Sequence, residues 1–148
     1  MSNQGGEQTL ELRGLLPGMN EFMDARRVSY REGKRGRFRD AYTSIKAKWT
    51  RDVAIECRAA GIRRVPRAFF EFHWRERNRR RNPDNVAAGG RKLILDGLVV
   101  AGVLDNDGWR EIAGWRDLFT VDAKNPGVTV IIREMAEDER GLVNGRIP

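Results

Sequence analysis

Between residues 40 and 75 the apolar side chains change their repeat, and that change constrains the chain more than any other feature. Ile45, Trp49, Val53 and Cys57 recur every four residues, which predicts an amphipathic helix over Asp40–Ala60 with Gly61 as its stop. After Pro66, Phe70, Phe72 and Trp74 alternate with Glu71, His73 and Arg75, the period of a strand buried on one face. Each element has one apolar side that must be covered. Thr9–Arg13 alternates as a short strand closed by Pro17-Gly18. Arg91–Ala101 reads as a second helix, with Leu95, Leu98 and Val99 inward and Gly102 ending it. Two more strands are expected near 115–121 and at Val128–Arg133. At 148 residues the chain is one domain, with flexible ends over about residues 1–8 and 136–148.

The charge is concentrated. Lys and Arg number 28 against 21 Asp and Glu, a net +7. Residues 26–39 carry +6 and residues 75–81 carry +4, leaving the remainder at −3. Arginine dominates both runs, and its planar fork matches phosphate oxygens. A polyanion, most simply nucleic acid, is the expected partner. A solvated basic face is the ordinary alternative for a single run. No apolar stretch approaches the roughly 18 residues that cross a bilayer, the first residues lack the features of a secretory signal, and Cys57 is alone. The expectation is a cytoplasmic protein without disulfides or membrane contact.

The residues with chemical capacity are Asn82-Pro83-Asp84-Asn85, then Lys92 and Asp96, then Asp105-Asn106-Asp107. Asp84 and Asp107 read as lying on connections, where functional groups are usually displayed. Carboxylates set in a basic surface suit a hard cation such as Mg²⁺ that also binds substrate phosphates. For Asp105 and Asp107 a plain turn after the helix is the competing explanation. One His and one Cys cannot build a structural zinc site. Neither Gly5-Gly6 nor Gly89-Gly90 is followed by the Lys-Ser or Lys-Thr pair of a phosphate-binding loop. Cys57 falls on the apolar stripe of its helix, and His73 reads as a surface histidine.

The ordered set Arg79-Arg80-Arg81-Asn82-Pro83-Asp84-Asn85, Lys92 to Val99, and Ala101 to Trp109 resembles the signature of the RusA family of Holliday junction resolvases, in its phage and prophage branch. Leu15 to Glu21 also resembles the start of that branch, and the likeness runs from about residue 9 to 134. It implies an α+β fold, a small mixed sheet packed with two main helices. It further implies a homodimeric, Mg²⁺-dependent endonuclease, with Mn²⁺ as a substitute, that binds four-way junctions and nicks two opposed strands. The setting implied is a bacterial cell, with the gene carried by a phage or prophage. Carried onto this chain, the acidic positions are Asn82, Asp84 and Asp107, and the helix lysine is Lys92. Matching Lys92 requires about four extra residues around 87–90 relative to shorter members. Asp96 then reads as the ion-pair partner of Lys92.

Arg79, Arg80 and Arg81, with Lys34, Arg35, Arg37 and Arg39, would hold DNA backbone. Asp84 and Asp107 are expected to gather around one cation beneath this arginine surface. The departure is Asn82, where the family has aspartate: an amide oxygen still ligates Mg²⁺ but adds no charge. Three explanations stand open, namely a substitution engineered to bind without cutting, a natural loss that leaves a junction-binding protein, and a site rescued by Glu76 or Asp105.

Overall fold

The computed structural model describes residues 6–24 and 41–135. Four strands, β1 (Glu7–Arg13), β2 (Ala68–Glu76), β3 (Ile112–Val121) and β4 (Gly127–Glu134), form one sheet in the order β1-β4-β2-β3. β4 runs antiparallel to both β1 and β2, while β3 lies parallel to β2 at the edge. The sheet is mixed, as expected. Two long helices, α1 (Ala41–Ala60) and α2 (Pro83–Val100), complete the fold, with a short helical segment over residues 19–24.

The alternation in β2 does what its period requires. Phe70, Phe72 and Trp74 are buried with Leu10, Leu12, Val128, Val130 and Ile132 on one face, beneath Val53 and Cys57 of α1 and Leu93, Ile94 and Leu98 of α2. Their rings stack along the strand, with centroids 5.9 and 5.6 Å apart. Fully burying such a side chain contributes about 1.5–3 kcal/mol. Burial also pushes the Cys57 thiol up to about 11, which agrees with a core residue and not a nucleophile. The other face carries paired charges: Arg75 meets Glu11 and Thr129, Arg116 meets Glu71, and Arg133 meets Glu7.

Two expectations change. β1 begins at Glu7 and pairs from its first residue with Arg133, so residues 7 and 8 do not belong to a flexible end. The second helix begins at Pro83 instead of Arg91. Pro83 suits the first helical turn, where its missing N–H costs no bond. Gly89 and Gly90 are needed inside the helix for close approach. A Cβ at Gly89 would lie 2.4 Å from the Gly18 carbonyl carbon, and one at Gly90 would lie 2.6 Å from the Trp74 ring. Asp84 therefore stands in the first turn of a helix and not on a connection.

Candidate functional site

α2 separates the candidate residues into two groups. At its N-terminal end Asn82 is the N-cap residue, in extended backbone with φ −72° and ψ 148°, and its side chain makes no capping bond. The Val86 N–H donates to the Asn82 carbonyl instead, at 3.1 Å. Asn82 lines a groove of about 410 Å³ together with Glu76, Arg79, Pro83 and Phe119. Asp84 is exposed in the first turn, where the positive end of the helix favours a carboxylate.

The three arginines of this end divide by role. Arg79 and Arg80 are exposed. Arg81 is held by both oxygens of Glu76 (3.0 and 2.8 Å), by Glu21 (3.1 Å) and by the Leu16 carbonyl (2.9 Å). Its pKa rises, chiefly through the Glu76 hydrogen bond. Arg81 is thus a tie between the β2 exit and the 16–21 loop, whereas Arg77, Arg79 and Arg80 stand exposed to solvent. Lys34, Arg35, Arg37 and Arg39 lie outside the described residues.

At the other end of α2, Asp107 lines a second groove of about 670 Å³ with Asp96, Val99 and Val100 of α2 and Lys46 and Thr50 of α1. Asp96 faces two lysines, Lys46 at 3.5 Å and Lys92 at 3.7 Å. Lys92 thus makes the ion pair with Asp96 that its i, i+4 spacing suggests. The backbone N–H of Asp107 donates to Asn106 Oδ1 at 2.9 Å.

The loop that carries Asp107 is fixed by three residues the sequence did not single out. Arg64 grips Asp105 through two bonds of 2.9 and 2.5 Å, and this hydrogen bond holds the Asp105 carboxyl below its ordinary value. The Val65 N–H donates to the Val103 carbonyl at 2.8 Å. Arg67, 1% exposed, sends Nη1 to the carbonyls of Trp109 and Arg110 at 2.9 and 3.0 Å. An arginine immediately before an apolar strand start was the available signal, since such a side chain is buried only when it satisfies backbone groups.

Asp84 and Asp107 are not brought together within one chain. A helix of 18 residues spans about 27 Å, and the two carboxylates stand near its opposite ends, whereas ligands of one Mg²⁺ lie about 2.1 Å from it. The expected single-chain convergence is corrected on this point. Among the described residues no cluster of three or more His, Cys, Asp or Glu is placed to hold a metal ion. The carboxylates considered as rescuers of Asn82 are also occupied: Glu76 by Arg81, and Asp105 by Arg64 at the far end of α2.

Compared with known proteins, the chain matches no family model and no curated protein sequence. Among the described residues no helix is long and apolar enough to cross a membrane.

Proposed function

We propose that the chain is a Mg²⁺-dependent endonuclease acting as a two-fold dimer on four-way and other branched DNA, in recombination and repair within the cytoplasm of a bacterial cell that carries a phage or prophage. The observation that supports it most is the division of the acidic residues between the two ends of α2. A two-fold axis crossing the middle of this helix reverses its direction. Asp84 of one copy then faces the partner's Asp107, and the same pairing recurs at the other end. Two equivalent composite sites follow, one for each strand to be nicked. Val100 and Trp115, 55% and 44% exposed, offer apolar surface beside α2 for the second copy.

Each residue then has a distinct task. Asp84, Asn82 and the partner's Asp107 offer hard oxygen donors suited to a divalent ion. That ion, when bound, would supply an activated water and charge stabilisation at the leaving oxygen. Lys92, exposed on α2 between the two ends, contributes positive charge toward the scissile phosphate. Arg79 and Arg80 hold flanking backbone and set register without reading bases.

One observation favours a second reading, a junction-binding protein that does not cut: Glu76, a carboxylate lining the same groove as Asn82, is engaged by Arg81. The test is nicking of a synthetic four-way junction in Mg²⁺ by the chain and by Asn82→Asp. The expected result is paired nicks from Asn82→Asp at a rate above that of the unaltered chain. If both bind the junction and neither cuts, the binding-protein reading replaces the nuclease. Affinity that does not weaken with added salt would sink both readings, because counterion release accompanies any phosphate grip.

A further inference from the structure

Trp109 is 94% exposed, although an indole gains more than most side chains from burial. Its surroundings are not loose. The buried Arg67 guanidinium holds the Trp109 and Arg110 carbonyls. The Glu111 and Ile112 N–H groups donate to the Gly108 carbonyl at 3.2 and 3.0 Å, and the Ala68 N–H donates to the Glu111 carbonyl at 2.9 Å. Arg64 fixes the same loop through Asp105. The chain thus presents a large aromatic plane to solvent from an ordered backbone, two residues from Asp107 and next to the exposed Arg110.

We propose that Trp109 is a nucleobase-stacking residue, placed to hold a base that has left the duplex stack where strands exchange at a branch. The proposal rests on the function above and adds the substrate feature it recognises: a splayed base beside the phosphate to be cut. Three physical points support it. A held loop has little conformational entropy left to lose, so most of the stacking energy appears as affinity. Any base presents a π-face, so the contact is indifferent to sequence and suits recognition of structure. Arg110, the next residue and exposed, adds a cation for the adjoining phosphate, while the Asp105 charge is already countered by Arg64.

The experiment measures binding of a fluorescein-labelled four-way junction and of a continuous duplex of the same sequence to the full chain, Trp109→Ala and Trp109→Phe, with sedimentation of each protein alone. A 2-aminopurine at the branch point reports the unstacked base. The expected result is an approximately tenfold loss of junction affinity for Trp109→Ala, unchanged duplex affinity, recovery in Trp109→Phe, and a 2-aminopurine signal that depends on the aromatic ring. Junction affinity unchanged in Trp109→Ala overturns the stacking role while leaving the function intact. A change of sedimentation in Trp109→Ala also overturns it, since the indole would then be a contact between copies. If the unaltered chain binds neither DNA, the function itself fails first and carries this proposal with it.

Discussion

Arg79, Arg80 and Arg81 are adjacent in the chain but meet different surroundings, and substitution separates them. Replacing Arg79 and Arg80 with glutamine should weaken junction binding evenly across sequences and reduce the slope of log affinity against log salt by about 2, near 0.9 for each phosphate no longer gripped. Arg81→Gln should leave that slope unchanged. It should instead cost about 2 kcal/mol, because Glu76 loses its charged donors, and lower the melting temperature by about 6 °C. An equal salt slope for all three changes would refute the division. Asp105 gives a second residue-scale prediction. Its folded-state pKa is depressed, first by the Arg64 hydrogen bond and then by Arg64 charge, so its stabilising effect is present above the ordinary value of 3.8 and disappears as pH falls through the lower folded value. Melting followed from pH 5 downward should show a steeper acid limb for the unaltered chain than for Asp105→Asn. Parallel limbs would show that the pair adds nothing. Glu71 has the same sign, lowered first by its hydrogen bond to His73.

Among the elements, α2 carries the clearest test of packing against propensity. Alanine at Gly89 favours the helix by about 1 kcal/mol, yet its Cβ would meet backbone atoms of Gly18, Met19 and Pro17 at 2.4–2.7 Å. Backbone cannot move aside as a flexible side chain can, so Gly89→Ala should be net destabilising by about 1–3 kcal/mol, read as a lower urea midpoint. A raised midpoint would show that the 17–19 loop is loosely held. The same helix marks the boundary of what the sequence makes legible. α1 and β2 follow from their repeats because each has one buried face and no competing signal. The first eight residues of α2 do not, because Asn82-Pro83-Asp84-Asn85 and Gly89-Gly90 have the local preferences of turns, and only contacts distant in sequence reverse them. The acidic residues were legible as types and in order. Their spatial relation was not, since nothing in the spacing from 84 to 107 revealed that an uninterrupted helix fills most of the gap.

At the scale of the molecule, the division of Asp84 from Asp107 predicts genetic complementation. In the Asn82→Asp background, Asp84→Asn and Asp107→Asn should each abolish cutting. A mixture of the two should recover nicks on one strand per junction, because a mixed dimer holds one composite site with both carboxylates intact and one with neither. Activity from a dilute monomer, or no recovery in a mixture shown to exchange subunits, would rule out the two-fold arrangement. α2 also acquires a metrical meaning. In the proposed dimer the helix is a measuring rod, and the interval between paired incisions is dictated by its number of turns and not by any loop. Its 18 residues set that interval near 27 Å, and removing four residues around 87–90 would shorten the rod by about one turn, close to 6 Å.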